Sequence, residues 1–487
     1  MRRIEVAKTL ENDSAKALQP LSCGSKQSLL KQSWTLAESW RADPLYSTSN
    51  PAYQAAIPHR DATLECGYEA NVFATIDRPG VRRSLIWFCL WSASMSTERL
   101  VHALPKRAKI VQIRCLLLVA LACLHTAMFA ADVALSPIAD DAFTIVIMPD
   151  TQTYRGPGTK IQRRGLPMHE GMAEHPYVQA HWQRLGERSP AKVDNVYLAK
   201  HIDWLLENRT LQNIVFVSHV GDIVDTNRPE EWSVAQKHFD RLRGLLPFAF
   251  SVGNHDMQTD GDASLFQNAF PASSFEDDPW YYASYEHDRP DQSVSADNVN
   301  SVQRFSAGGI DFVFLHLECN APDDVVRWAD EMLHENADRF AMITTHMDLG
   351  IVDKPTAERG YIHDPKGRMR WVKRHKGRGN NAEQLWDKLY RKHANLRFVF
   401  SGDQSRVTTH RQTLTGDAGN TVHALLSDYQ SFGALRLMRF HPKRGTVEVV
   451  TYDTMLDALV ESTPYSPKRS DHQFTLRVDV DVDSKSQ

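Results

Sequence analysis

From residue 143 onward, short and nearly unbroken apolar runs alternate with longer stretches in which apolar residues recur at helical spacing. The runs FTIVIM (143–148), NIVFVSHV (213–220), PFAFSV (247–252), RFAMITT (339–345) and LRFVFS (396–401) predict strands covered on both faces. A strand with one wet face would alternate apolar and polar residues instead. Between these runs, NVYLAKHIDWLLE (195–207) carries Val196, Leu198, Ile202, Leu205 and Leu206 behind Asn195, a residue suited to a helix N-cap. Residues 229–245 and 323–338 are amphipathic in the same way, and NAEQLWDKLYRKH (381–393) ends in basic residues, as helix C-termini favour. Strand–helix–strand alternation predicts parallel strands joined by right-handed crossovers.

After residue 411 the pattern changes. VHALLSDY (422–429), GALRLMRF (433–440), GTVEVVTYD (445–453) and HQFTLRVDVDV (472–482) predict consecutive strands with short turns. Upstream, QRFSAGG and IDFVFLHLE predict a hairpin turning at Gly308 and Gly309. A second, largely antiparallel sheet packed on the first is therefore expected. Two insertions interrupt the pattern. Residues 155–192 read as a polar loop rich in Gly, Pro, His and Arg. Residues 351–380 contain KGRMRWVKRHKGR, with seven Lys and Arg and no acidic residue between Lys366 and Arg378. Such a run is either a solvated loop or a cationic rim that attracts an anionic substrate.

Composition narrows the function classes. At 487 residues the chain exceeds one ordinary domain, and its formal net charge of −4 argues against a nucleic-acid scaffold. A hydrophobic content of 42% implies no multi-span membrane protein. The cysteines (Cys23, Cys66, Cys89, Cys115, Cys123 and Cys319) show neither CxxC pairs nor zinc-finger spacing. Residues 106–131, KRAKIVQIRCLLLVALACLHTAMFAA, run from basic through apolar to small residues, the order of a secretory signal peptide. A short membrane anchor is the other reading, although His125 and Thr126 cut the apolar run short of a spanning helix. Met95 just upstream is the expected start. The expected division is residues 1–94 as an unstructured or misassigned extension, 95–131 as the signal region, and 143–487 as the folded domain. The product would be exported, periplasmic or extracellular, or held at the membrane by the uncleaved apolar segment. It would keep one thiol, Cys319, and so form no internal disulfide.

The predicted strands end alike. Asp150 and Gln152 follow the first, Asp222 and Asp225 the second, Asn254, His255 and Asp256 the third, His346 the fourth and Asp403 the fifth. In open α/β sheets the carboxyl ends of parallel strands line the ligand crevice. Any one of these residues alone could be a helix cap or a structural side chain. Five together present oxygen and nitrogen ligands suited to hard or borderline divalent ions, Mn, Fe, Zn or Mg. A carboxylate can bridge two such ions roughly 3.5–4 Å apart, an arrangement that activates water and stabilises the oxygens of an in-line displacement. Phosphoester hydrolysis is the reaction that most needs it.

The motifs PDTQ (149–152), GDIVD (221–225), GNHD (253–256) and TTHM (344–347), in this order and spacing, resemble the calcineurin-like metallophosphoesterase superfamily over roughly residues 143–455. The resemblance implies an α/β fold, a four-layer αββα sandwich of two mixed sheets. It also implies a centre of two divalent ions that hydrolyses a phosphoester through a metal-activated water. Asp150 would then bind the first ion, Asp222 would bridge both, and Asn254 and His346 would bind the second. Asn254 and His255 would hold the phosphoryl oxygens, and His255, oriented by Asp256, would protonate the leaving oxygen, with Asp225 behind the ligands. The chain departs from the family pattern at two motifs. Gln152 stands where a histidine is usual, and GDQS (402–405) replaces Gly-His-x-His, with Asp403 and Ser405 in the histidine positions. This predicts a weakened first site of Asp150 and Asp222 with Gln152 as a candidate ligand through its amide oxygen, and a sound second one built from Asp222, Asn254, His346 and Asp403. His410 could reach back to replace a ligand. Arg406 could bind phosphate or pair with Asp403. His219, His316 and Glu318 read as structural. A phosphoester substrate is the only partner implied. The alternatives are a binding protein that keeps the fold and one metal, and a structural protein that binds none.

Overall fold

The computed structural model describes residues 135–165, 172–186, 189–286, 294–404, 406–429 and 432–479. The expected N-terminal extension, the signal region and Ser405 lie outside the described residues. The strands are β1 (Phe143–Met148), β2 (Ile214–His219), β3 (Phe248–Phe250), β4 (Tyr281–Ser284), β5 (Ser301–Ala307), β6 (Ile310–Leu317), β7 (Phe340–Thr345) and β8 (Leu349–Ile351). They continue as β9 (Lys366–Arg368), β10 (Leu396–Ser401), β11 (Thr409–Thr415), β12 (Thr421–Ser427), β13 (Ala434–His441), β14 (Thr446–Asp453), β15 (Ala458–Leu459) and β16 (Phe474–Arg477). One sheet has the order β15-β14-β13-β1-β2-β3, with β16 also on β14, and the other β11-β12-β10-β7-β6-β5-β4.

Both sheets are mixed. In the first, β1, β2 and β3 are parallel, and β13 runs antiparallel to β1. In the second, β6, β7, β10 and β12 are parallel, flanked by antiparallel β5 and β11. The two mixed sheets that the resemblance implied are present, whereas the largely antiparallel second sheet read from the pattern after residue 411 is corrected. The five buried strands split between the sheets, and each set is bordered by antiparallel partners. Hydrophobic periodicity reports that a strand is covered on both faces, not which strand lies beside it.

Alternation along each strand explains why the apolar runs are unbroken. In β1, Phe143, Ile145 and Ile147 enter the core between the sheets, while Val146 and Met148 enter the core under the helices. In β10, Phe398 and Phe400 face the intersheet core and Val399 faces the opposite helical layer. Phe143 stacks on Phe440 at 5.1 Å between ring centroids and meets Phe312 of the other sheet edge-on at 5.8 Å.

The outer layers contain α1 (Val196–Asn208), α2 (Pro229–Phe239), α3 (Asp323–Glu335) and α4 (Ala382–Lys388). Leu198, Ile202 and Leu205 of α1 and Trp232 and Phe239 of α2 cover the first sheet, and Val325, Ala329 and Leu333 of α3 cover the second. Asn195 caps α1 as its sequence predicts, its side-chain oxygen accepting from Leu198 N at 3.0 Å. Among the described residues no helix is long and apolar enough to cross a membrane.

The insertions are more ordered than their composition suggests. Residues 155–192 contain helices at Lys160–Arg164 and Pro176–Leu185, the latter burying Val178, His181 and Leu185. Residues 351–380 hold β9, which pairs with β8.

Candidate metal centre

The ends of β1, β2 and β3 in one sheet and of β7 and β10 in the other meet in one buried pocket. Backbone contacts join them. Gly402 N–H donates to the His346 carbonyl at 3.0 Å, and Asp403 N–H donates to Asp150 Oδ2 at 3.3 Å. The His346 ring donates from Nδ1 to the Val220 carbonyl at 2.9 Å. Two glycines permit this approach. A Cβ on Gly402 would lie 2.2 Å from Asp150 Oδ1, and one on Gly221, whose φ is +101°, would lie 2.7 Å from His346 Nδ1. Asp222 and Asp403 both occupy the left-handed region, at φ of 53° and 71°. Aspartate tolerates this region better than most residues, and such strain concentrates at functional sites.

Asp150, Asp222 and His346 are buried, and each offers a ligand atom within 4.8 Å of the others. Asp222 Oδ1 accepts from His255 N–H at 2.7 Å and lies 3.1 Å from His346 Nε2. Asp150 Oδ1 and Asn254 Oδ1 are buried without a hydrogen-bond partner among the described residues, while His346 Nε2 faces the Asp222 carboxylate. A buried polar atom left unpaired costs roughly 1–3 kcal/mol, so two unpaired oxygens from two strand ends, beside the Asp222–His346 contact, mark a place for a cation that accepts their lone pairs. Two carboxylates, an amide oxygen and an imidazole whose tautomer is fixed by a backbone carbonyl suit a divalent cation.

The electrostatics agree. Burial, then the charge of Asp428, pushes the Asp150 pKa well above the usual carboxylate range. Burial would lower the His346 pKa, but the carboxylates of Asp222, Asp403 and Asp150 hold it well above the ordinary imidazole value. Burial would raise Asp222, but His346 and His255 hold it low. Crowded buried carboxylates are what a cation relieves.

The residues expected from sequence take these places. Asp150, Asp222, Asn254 and His346 come together. Gln152 turns its amide Nε2 to Asp222 Oδ2 at 2.8 Å, so its nitrogen holds the central carboxylate as a donor. Asp403 lies at the pocket, its Oδ1 3.6 Å from His346 Nε2, and that oxygen also pairs with the ammonium of Lys373. The expectation that Asp256 orients His255 is corrected: Asp256 accepts from Val224 N at 3.0 Å and Gly253 N at 2.8 Å and so ties two ligand loops together. The ring of His255 instead donates from Nδ1 to the Asp225 carbonyl at 2.6 Å, with Asp225 Oδ1 at 3.6 Å. Asp225 is held by Lys160 at 2.7 Å.

The expectation of Arg406 on the substrate is also corrected. Its guanidinium pairs with Glu358 at 2.7 Å and lies over the Tyr361 ring, because the chain carries it outward past Asp403. His410 lies on β11 beside a cleft lined by Lys366, Arg411, Tyr465 and Asp471, outside the pocket. His219 is structural, with Nδ1 accepting from Gly221 N at 3.0 Å and Nε2 meeting Thr151 Oγ1 at 3.1 Å. His316 bonds Ser218 and Gln303, and Glu318 faces His375 at 3.1 Å.

Sequence reasoning missed four residues. Asp428 follows β12, which runs parallel beside β10, so it emerges at the same edge as Asp403. The strand signal in VHALLSDY could have found it. Lys373 and Arg374 come from the basic run that read equally as a solvated loop. Arg374 donates from Nε to the Asn254 carbonyl at 2.8 Å, a second guanidinium nitrogen reaching the same oxygen. Asn320 Oδ1 accepts from the backbone N–H groups of Lys373 at 2.8 Å and Arg374 at 3.3 Å. Nothing in the local sequence flags Asn320.

Among known proteins, the uncharacterized protein YvnB of Bacillus subtilis (strain 168) is 24% identical over 265 residues, which are 52% of this chain and 18% of that protein. The purple acid phosphatase PPD1 from yellow lupin (Lupinus luteus) is similar in structure at a TM-score of 0.40 and 10% identity, over 71% of this chain and 55% of that one. A 5'-nucleotidase precursor from Thermus thermophilus gives 0.34 and 13%, over 70% of this chain and 54% of that one. The chain thus spans about half the length of these solved structures and under a fifth of the Bacillus protein. Residues 145–404, more than half of the chain, match the family described as calcineurin-like phosphoesterase. With the ligand-bearing strand ends in the order that family shows, the chain belongs to the calcineurin-like phosphoesterases.

Proposed function

We propose that this protein hydrolyses phosphoesters with a divalent metal ion held by Asp150, Asp222, Asn254 and His346. The observation that carries the reading is the buried cluster of Asp150, Asp222 and His346, with the unpartnered side-chain oxygens of Asp150 and Asn254 at their strand ends. A divalent ion bound there supplies Lewis acidity and makes a water acidic enough to lose its proton near neutral pH.

The chain's own residues do the rest. Arg374 clamps the Asn254 backbone carbonyl, which fixes the direction of the Asn254 side chain. The His255 backbone is tied to Asp222, and Nδ1 is committed to the Asp225 carbonyl. That leaves Nε2 as the working nitrogen on a side chain 32% exposed, open to substrate. In its protonated form His255 gives this proton to the leaving oxygen, a contribution of roughly 10²–10⁴ in rate. Arg374 stands beside the same loop as a cation for phosphoryl oxygens. The reading also carries export, on the strength of the basic, apolar and small-residue succession at 106–131. A natural N-terminus just after Ala131 would support export, and recovery of a peptide from residues 1–94 would count against it.

The test is hydrolysis of bis(p-nitrophenyl) phosphate and p-nitrophenyl phosphate by the full chain, before and after chelation and with Mn or Zn restored. The expected result is turnover lost on chelation and recovered with the ion, with His255→Ala lowering kcat by about 10²–10⁴ at unchanged metal content. Metal bound without turnover of either ester, and with no effect of His255→Ala, would replace hydrolysis by a binding function.

A further inference from the structure

The basic run between Lys366 and Arg378 is neither a free loop nor a distant rim. From Trp371 to Lys376 it forms a strap beside the ligand cluster, fastened at Trp371 and at each residue from Lys373 to Lys376. Trp371 donates from Nε1 to the Ile351 carbonyl at 3.0 Å. Lys373 and Arg374 give both backbone N–H groups to Asn320 Oδ1, whose own amide donates to the Asn380 carbonyl at 3.1 Å. Arg374 grips the Asn254 carbonyl. His375 is fully buried, 3.1 Å from Glu318, and Lys376 reaches Asp260 at 3.3 Å. His375 and Lys376 both take left-handed conformations, at φ of 68° and 43°. Two such residues in a row are strained, and that strain persists only where the surroundings impose it.

The strap delivers the Lys373 ammonium to Asp403. Lys373 also lies 5.5 Å from the centroid of the Trp371 ring, which limits where its stem can go. Asp403 therefore differs from its neighbours at the other strand ends. Asp150 and Asn254 each present a buried oxygen without a partner, whereas Asp403 Oδ1 meets a cation of the chain itself and Oδ2 accepts from Gln404 Nε2 at 3.2 Å. Gln152 is turned to donate to Asp222. With the Gln152 amide nitrogen on Asp222 and Asp403 paired with Lys373, the remaining acidic and imidazole ligands form one compact set. Asp150, Asp222 and His346 all fall within 4.8 Å of one another, the span of ligands roughly 2.0–2.2 Å from one ion.

We propose that the centre holds a single divalent ion and that the Lys373 ammonium fills the neighbouring cation place at Asp403. The proposal rests on the hydrolase reading above and departs from the two-ion centre implied by the sequence resemblance. An ammonium can neutralise Asp403 and face a phosphoryl oxygen, but it cannot accept a ligand lone pair or activate water. The two cationic places then do different work, one acting on water and the other on substrate charge.

The test is the metal content per chain of the full-length protein, equilibrated with Mn or Zn and freed of loosely held ion. Wild type, Lys373→Met, Lys373→Arg and Asp403→Asn are compared, with thermal melting as the check on folding. The expected content is about one ion in wild type, in Lys373→Arg and in Asp403→Asn, and close to two in Lys373→Met, where Asp403 is released. Two ions in wild type, or one lost in Asp403→Asn, would overturn the proposal while the hydrolase reading stands. One ion in a folded Lys373→Met would also overturn it, because Lys373 would then not be what excludes the second. If Lys373→Met fails to fold, the wild-type and Asp403→Asn contents decide. No ion in wild type would remove the hydrolase reading itself, and this proposal with it.

Discussion

Replacing Gly402 by alanine should disable the pocket while leaving the chain folded. The new Cβ would lie 2.2 Å from Asp150 Oδ1 and 2.7 Å from Val220 Cγ2. The first contact is roughly 1 Å inside an ordinary van der Waals separation, so the carboxylate must swing away by about that much. Gly402 does not have a positive φ, so alanine brings no backbone strain of its own. The remaining penalty is local overpacking, on the order of 1–3 kcal/mol, offset in part by the smaller entropy of the unfolded chain. A 1 Å displacement at a reacting centre costs about 10² in rate, and here it also moves a metal ligand. The assay is kcat/KM on bis(p-nitrophenyl) phosphate together with metal content and melting temperature. Gly367→Ala is the control, since its nearest neighbours are the side-chain ends Val352 Cγ2 at 3.2 Å and Gln412 Nε2 at 3.3 Å. Gly402→Ala with wild-type turnover and wild-type metal content would refute the reasoning, because the carboxylate would then have room that the packing denies it.

Other perturbations separate the remaining links. Arg406→Ala should leave turnover unchanged and cost no more than about 1 kcal/mol, because Arg406 pairs with Glu358; a large rise in KM would return it to the substrate. Phe312→Ala, at the meeting of the two sheets, should destabilise by about 3–5 kcal/mol in denaturant melts, and a loss below about 1 kcal/mol would mean that the aromatic intersheet core is not as packed. Burial pushes His201 and His472 down to about 4 and His219 and His316 to about 3. The unfolded chain takes up these protons near pH 6.5 and the folded chain does not, so their contribution to stability should fall as pH drops from 6.5 toward 4. Each proton contributes a slope of roughly 1.4 kcal/mol per pH unit, opposed by Asp150, Asp256 and His346, which take up protons more readily in the folded chain; an NMR titration showing any of the four imidazoles protonated at about pH 5.5 in the folded chain would contradict their buried, neutral placement.

The fold was legible where the signal is local. FTIVIM shows its two-sided burial because Phe143, Ile145 and Ile147 face one core while Val146 and Met148 face another. Asn195 announces a helix start, and Gly308 with Gly309 a hairpin, seen in the pairing of Ala307 with Ile310. Partnership between strands is not local. Nothing within FVFS says that it lies beside ITT and not beside FTIVIM, so periodicity alone misses the mixed second sheet, which only the resemblance implied.

The candidate site divides in the same way. Residues at strand tips could be placed because parallel strands share an edge. The second contacts could not, because they depend on distant loops. The carboxylate nearest in sequence to His255 is Asp256, yet folding turns it to the backbone of Val224 and Gly253 and brings Asp225 to the ring. The strap residue Lys373 is 30 positions from Asp403, and the charge pattern around it alone fits an exposed loop equally well.

The most direct measurement is anomalous diffraction from crystals of the full chain grown with Mn or Zn. A peak within ligand distance of Asp150, Asp222, Asn254 and His346 is the predicted result. No peak among these four residues under saturating metal would contradict the metal centre on which the proposed chemistry depends.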